Sequence, residues 1–247
     1  MEQGLYQEER AGTQTITFDA PPVKHVKYPR AVVYDSPVRA TAADGIALEY
    51  PPPSLPFVAP REFLIRVLDV LGAAVMLIAA SPIMLLMAIL IKVFSPGRIF
   101  YRQQRVGLNG AIFTLYKFRT MVNNAERHTG PVLALRDDSR VTPVGRLLRT
   151  TRLDELPQLF NVIRGEMSLV GPRPERPFFV ERHKALQGLR LSVKPGLTGL
   201  AQVRSYYDLK PEHKIKYDFL YIRHRSVLLN IYIILKTVPV MFLKKGW

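Results

Sequence analysis

The sequence predicts an α/β protein, mostly α, whose N-terminal apolar helix enters a membrane and returns. Three observations carry this reading. Val70–Ile91 is a run of 22 residues without a charge. Phe113–Met121 can alternate as a strand. Leu153, Leu156, Leu159, Phe160 and Ile163 recur at helical spacing.

The chargeless run comes first. At 1.5 Å per residue it reaches roughly 33 Å, the thickness of a bilayer core. Ser81-Pro82 sits at its centre, where proline removes a helical hydrogen bond and favours a break or kink, and Ser81 can satisfy the freed carbonyl. Both flanks are basic: Arg61 and Arg66 before, Lys92, Arg98, Arg102 and Arg105 after. A spanning helix would put those flanks on opposite sides. The positive-inside rule puts them on the same side, which a helix that enters, bends and returns also does. A buried helix of a soluble domain ranks third, because so long an apolar run is unusual there.

After the helix, Gly107-Leu108-Asn109-Gly110 is a turn signal between two apolar stretches, so Gly97–Met121 reads as β structure. Period two places Lys117 and Arg119 on one strand face. The next helix begins near Asp154-Glu155, carries Pro157 in its first turn and ends at Gly165. Pro195–Gly199 reads as another turn. Residues 212–243 read as one or two helices, apolar from Val227 to Leu235 and bordered by Arg223, Arg225, Lys236, Lys244 and Lys245. A helix lying in a membrane interface and a core helix of a soluble domain both fit that pattern.

Residues 1–60 hold nine prolines, five Lys/Arg and seven Asp/Glu. They read as a disordered or extended tail without an apolar leader. The remaining residues, 61–247, carry 30 Lys/Arg against 13 Asp/Glu, a net of +17. Such a surface attracts polyanions: nucleic acid, anionic lipid or phosphorylated substrates. There are no cysteines, which excludes disulfides, thiolate metal sites and a cysteine nucleophile. The five histidines show no metal-ligand spacing, and neither a Walker loop nor GxGxxG is present.

Three groups of residues can carry chemistry. Asp154-Glu155 lies among Arg140, Arg146, Arg149, Arg152, Arg164 and Arg173. Adjacent carboxylates at a helix start often only complement the dipole. Among so many cations, a carboxylate stays ionised and can hold a metal or attack phosphorus. Gly171-Pro172-Arg173-Pro174-Glu175 stiffens the chain around an arginine suited to phosphate. Lys117 and Arg119 could grip a diphosphate, or merely face solvent. A non-catalytic basic module would account for the charge. It would not account for the carboxylate pair or the interrupted apolar helix, and the aromatic–basic interleaving of a nucleic-acid sheet is not evident.

Taken in order, these segments resemble the bacterial sugar transferase family, the monotopic phosphoglycosyl transferases. The resemblance runs from about Arg61 to Trp247. It rests on Ser81-Pro82 and on Tyr116-Lys-Phe-Arg-Thr-Met121. It continues through Leu153-Asp-Glu-Leu-Pro-Gln-Leu-Phe-Asn161, Gly165-Glu-Met-Ser-Leu-Val-Gly-Pro-Arg-Pro174 and Lys194-Pro-Gly-Leu-Thr-Gly-Leu-Ala-Gln-Val203. It implies a catalytic domain over 61–247, a small, mostly α, α/β catalytic core with an N-terminal re-entrant membrane helix at about 63–94, broken at Ser81-Pro82, and interfacial amphipathic helices. It further implies transfer of a sugar-1-phosphate from a UDP-sugar to polyprenyl (undecaprenyl) phosphate, with release of UMP. Asp154 would be the nucleophile, forming a phosphosugar-aspartate intermediate, and also a ligand of Mg²⁺. Glu155 would assist, Arg173 would contact the diphosphate, and Lys117, Arg119 and Arg149 would line the phosphate region.

The implied setting is the cytoplasmic face of a bacterial inner membrane, at the first membrane step of exopolysaccharide synthesis. Downstream glycosyltransferases would be partners, a homo-oligomer stays open, and nucleic acid is not expected. Relatives often carry Lys-Arg where this chain has Ile65-Arg66, and Asp where it has Asn230. Losing a cation and an anion together suggests that a structural contact has been replaced, which keeps Asn230 outside the site. Asp218 is a further candidate carboxylate.

Overall fold

A computed structural model of the chain describes residues 59–123, 125, 138–204 and 211–242. The tail expected over 1–60 lies outside the described residues, except that Ala59 and Pro60 open the first helix.

That helix, α1 (Ala59–Phe94), is 36 residues long and contains Pro82. The helix continues through the proline, so the break or kink expected there does not interrupt it. The local chemistry is as expected. Pro82 has no N–H to offer the Ile78 carbonyl four residues back, and Ser81 Oγ donates to that carbonyl instead at 2.8 Å. Pro60–Phe94 is long and apolar enough to cross a membrane, and only 11% of its most apolar window is buried.

Both halves of α1 pack against the rest of the fold. In the first half, Ile65, Asp69 and Ala73 are buried; in the second, Met87 and Ile91 are. Between them Ser81 and Pro82 are exposed, and Ile78 and Leu85 are 76% and 65% accessible. Polar contacts fasten the first half. Glu62 accepts from Arg225 at 2.6 Å. Arg66 donates to the carbonyls of Val162 and Ile163 at 2.6 and 2.8 Å. Asp69 accepts from Ser168 Oγ and Leu169 N at 2.9 and 2.8 Å. The far end is capped by Arg119, which donates to the carbonyls of Ser95 and Pro96 at 2.6 and 2.8 Å.

Next come β1 (Phe100–Val106) and β2 (Ile112–Phe118), an antiparallel hairpin with Val106 opposite Ile112 and Tyr101 opposite Lys117. The Gly107–Gly110 turn signal falls between them, with Asn109 at φ 54°. Phe113 and Leu115 face the core. Lys117 shares their parity and so ends the inward-facing row.

α2 (Pro143–Thr151) opens on Thr142, whose hydroxyl accepts from Gly145 N at 3.0 Å. A Cβ on Gly145 would lie 2.0 Å from the Thr120 carbonyl oxygen. Only glycine lets α2 seat this closely on the segment after β2.

α3 (Gln158–Arg164) ends at Gly165 in the left-handed conformation, φ 84°, with its N–H on the carbonyls of Asn161 and Val162. The stop is where the sequence places it. The start is later than expected, because Asp154 and Glu155 form a separate 3₁₀ turn over Leu153–Glu155.

β3 (Ser168–Val170) pairs in parallel with β4 (Gly196–Thr198). Pro195–Gly199, read as a turn, is therefore partly strand. A Cβ on Gly196 would meet Gly171 N at 2.0 Å, so the glycine serves close backbone approach rather than chain reversal. α4 (Pro177–Arg182) and α5 (Leu200–Arg204) are short. The C-terminal region resolves into two helices, α6 (Pro211–His224) and α7 (Val227–Phe242).

The main core joins Ala73 of α1, Leu159 and Val162 of α3, Leu169 of β3, Tyr221 of α6 and Ile233 of α7. A second cluster joins Met87 and Ile91 of α1 to Phe118 and Leu148. Among the described residues the fold is thus mostly helical with two small sheets. On α7, Leu228, Leu235 and Val238 are exposed, an apolar surface on the helix expected at an interface.

Candidate active site

The site is built on the bend between α2 and α3. Arg152 closes α2 at φ 62°, ψ 10°, a left-handed conformation costing a non-glycine residue roughly 1–3 kcal/mol. This reversal starts the 3₁₀ turn that carries Asp154 and Glu155. Asp154 is 7% exposed. Two neighbouring elements supply cations: Lys117 from the inner row of β2, and Arg173 from the loop after β3.

Those cations close on Glu155. Lys117 Nζ donates to Oε1 at 2.9 Å, and Arg173 reaches Oε1 at 2.5 Å and Oε2 at 3.4 Å. Burial pushes the Glu155 carboxyl up, but Arg173, Lys117 and Arg152 outweigh it and hold the group well below the usual carboxylate range. Glu155 in turn holds the Arg173 guanidinium above its usual value.

Asp154 has the opposite balance. Burial and the adjacent Glu155 charge push its carboxyl up, and Lys117, Arg173 and Arg149 pull it down without reversing the rise. Two neighbouring carboxylates are therefore driven apart. One is a captive anion in an ion-pair cluster; the other is desolvated beside three cations.

Lys117, Arg149 and Arg173 are brought to the pair, Arg149 also donating from Nε to Thr120 Oγ1 at 2.8 Å. Arg119 is not placed there. β2 ends at Phe118, the alternation stops, and the Arg119 side chain turns to the end of α1 and to Asn123 Oδ1. Its expected place in the phosphate region is corrected to a structural cap. Asp218 is buried on α6 in a pair with Arg190 at 2.8 Å. Asn230 accepts from the Tyr221 hydroxyl at 3.0 Å, apart from the carboxylates.

Two contributors had no assigned role in the sequence reading. Arg152 faces Glu155, Asp154 and Arg173 electrostatically, and burial lowers its guanidinium pKa. Asn161 is fully buried. Its amide donates to the Thr114 carbonyl at 2.7 Å and to Glu166 at 2.6 Å, and its carbonyl accepts from Tyr116 N at 3.2 Å. That ties α3 to β2 and so fixes the pair against Lys117. Its position inside the Leu153–Asn161 motif was the available signal.

Among the described residues no three Asp, Glu or His side chains gather. A cation here would rest on one carboxylate, with phosphate oxygens and water completing its shell. That donor set suits Mg²⁺ bound together with a diphosphate, and Asp154 is the residue that fits.

A desolvated carboxylate, a partner carboxylate held by Lys117 and Arg173, and the nearby Arg149 and Arg152 make a cationic site suited to anions, on a core that carries a long apolar helix. The chain belongs to the bacterial sugar transferase family, whose model matches residues 60–244. It is 43% identical over 182 residues to the UDP-N-acetylgalactosamine-undecaprenyl-phosphate N-acetylgalactosaminephosphotransferase of Aeromonas hydrophila, covering 71% of this chain and 43% of that one. It is 41% identical over 195 residues to exopolysaccharide production protein ExoY of Sinorhizobium fredii, covering 73% and 86%. It is 43% identical over 189 residues to the UDP-glucose:undecaprenyl-phosphate glucose-1-phosphate transferase of Klebsiella pneumoniae, covering 73% and 40%. The chain thus spans less than half the length of the first and third of these relatives.

Proposed function

We propose that this chain transfers a sugar-1-phosphate from a UDP-sugar to polyprenyl phosphate, with Asp154 as the nucleophile. The observation that carries the reading is the division of labour between adjacent carboxylates. Glu155 is consumed by Lys117 and Arg173, leaving Asp154 as the carboxylate available to react.

In the first half-reaction, an Asp154 carboxylate oxygen attacks the β-phosphorus of the UDP-sugar. The bond from that phosphorus to the bridging oxygen breaks, and UMP leaves with the electron pair. In the second, a phosphate oxygen of polyprenyl phosphate attacks the same phosphorus and displaces Asp154, giving polyprenyl-diphosphate-sugar. No proton has to move in either step. Two steps let one small site serve two bulky anions in turn. Arg173 and Arg149 offset diphosphate charge, and Lys117 holds Glu155 so that Arg173 stays in place. Mg²⁺, when bound, would supply further charge neutralisation and polarisation of the phosphoryl group.

The same proposal includes the setting. α1 enters one leaflet, bends at Ser81-Pro82 and returns, and the site lies on the cytoplasmic face of the bacterial inner membrane. Support comes from the packing of both ends of α1 on the core, its exposed centre, and its two basic flanks. The membrane-facing role of α7 rests on its exposed apolar residues.

The test incubates purified protein with a UDP-sugar and Mg²⁺ but no lipid acceptor, followed by peptide mass spectrometry. A phosphosugar adduct on the residue 154 side chain is expected, absent in Asp154→Asn. UMP release without that adduct would overturn the covalent route.

A further inference from the structure

The loop that presents Arg173 is held at every residue from Gly171 to Glu175. Gly171 N donates to the Thr198 carbonyl at 2.9 Å, and the Pro172 carbonyl accepts from Gly196 N at 2.9 Å. The Glu175 carbonyl accepts from Val106 N at 2.9 Å. The two carbonyls between them are taken by side chains. Pro174 O accepts from Arg105 Nη1 at 2.9 Å, and Arg173 O from Arg190 Nη2 at 2.5 Å.

Arg190 makes a second contact. Its Nε donates to Asp218 Oδ2 at 2.8 Å, and the two residues are 5% and 3% exposed. A planar guanidinium held through Nε on a carboxylate and through Nη2 on a backbone carbonyl is fixed in orientation. Burying such a pair adds little to stability beyond what apolar residues of the same volume would give. Its cost is explained if the pair aims something.

We infer that Arg190, oriented by Asp218, is a positioning residue that fixes the Arg173 backbone and thereby sets where the Arg173 guanidinium meets Glu155 and the substrate diphosphate. The chain of contact runs from Asp218 on α6 through Arg190 to Arg173 O, and from the Arg173 side chain to Glu155. The contacts that join Asp218 and Arg190 to the site run through the Arg173 backbone, so their effect on the reaction is carried by Arg173. The substrate part of the inference rests on the transferase reading; the backbone part does not.

Removing one partner alone would leave a buried charge and risk the fold. The informative variant is therefore Arg190→Met/Asp218→Leu, which removes both charges at similar volume. Three measurements are made on the detergent-solubilised full chain: thermal stability, amide exchange over Gly171–Arg176, and kcat for UMP release. The double variant is expected to melt within a few degrees of the parent while exchanging faster over 171–176. Its kcat should fall about 100-fold, the effect of misplacing a reacting arrangement by about an ångström. In an Arg173→Lys background the same double change should cost little further, because the group it positions has already been replaced.

A double variant with unchanged exchange and unchanged kcat would make the pair a plain tether of α6 and overturn the inference. So would a full, additive loss on top of Arg173→Lys. If the parent released no UMP from any UDP-sugar, the transferase reading would fall, and the exchange measurement would still decide the positioning.

Discussion

Replacing Glu155 by Gln tests the electrostatic description of the site. Glu155 accepts at 2.9 Å from Lys117 and at 2.5 and 3.4 Å from Arg173, with a side chain 12% exposed. At an effective dielectric of about 20, each pair near 3 Å is attracted by roughly 5–6 kcal/mol before desolvation is subtracted. Taking away only the anion leaves two cations facing each other in a half-buried site, a loss of about 3 kcal/mol. For a domain of this size, that lowers Tm by about 6–12 °C. Differential scanning fluorimetry in detergent at pH 7 measures it. The pH dependence follows from the depressed Glu155 pKa. A carboxyl with a folded pKa below its unfolded value stabilises fully above the unfolded value, about 4.3. It loses that contribution as pH falls through the folded value. The gap between parent and variant should therefore be constant from pH 8 to about pH 5 and close in stronger acid. An equal or higher Tm for the variant at pH 7, or a gap that widens on acidification, would refute the reasoning.

Asp154→Asn should act in the opposite direction. The raised Asp154 pKa means that ionisation costs stability above the folded pKa, so in metal-free buffer the Asn variant should melt at or above the parent at pH 7 and lose that advantage in acid, read by the same fluorimetry. On the proposed mechanism, UMP release by the parent should fall on acidification with a midpoint above the ordinary aspartate value of about 3.9, because burial favours the protonated Asp154 carboxyl. Gly145→Ala puts a Cβ 2.0 Å from the Thr120 carbonyl oxygen, and the overpacking should cost about 1–3 kcal/mol in thermal or denaturant unfolding. Single cysteines at Pro60→Cys and Arg98→Cys, in a chain with no others, should react with a membrane-impermeant thiol reagent from the same side of sealed vesicles. Labelling from opposite sides would exclude the returning path of α1.

The parts of the fold legible in the sequence are those set by local chemistry. The hairpin follows from Gly107–Gly110 between two alternating runs, the end of α3 from Gly165, and the Ser81 hydroxyl on the Ile78 carbonyl from the proline beside it. The misreadings came from contacts distant in sequence. Lys117 and Arg119 share strand parity, but one more strand residue was needed to keep them together, and the end of α1 captured Arg119 first. Gly196 looked like a turn residue because glycine serves both turns and close backbone approach, and only its partner Gly171 separates the two. For the site, charge crowding around Asp154-Glu155 was visible as a run of arginines. Which carboxylate would be tied up was not, since Lys117 lies 38 residues from Glu155. Arg190 and Asp218 had no sequence pattern linking them to Arg173.

The two-ended seating of α1 has a practical corollary. Leu159, Val162 and Leu169 are covered at one end, and Phe118 and Leu148 at the other, by residues of a single apolar helix. Excising that helix to obtain a water-soluble fragment would strip both clusters of a wall and leave the Val162, Ile163, Ser168 and Leu169 partners of Arg66 and Asp69 unmatched. The apolar helix and the carboxylate site belong to one folding unit, so a version lacking α1 should precipitate rather than fold.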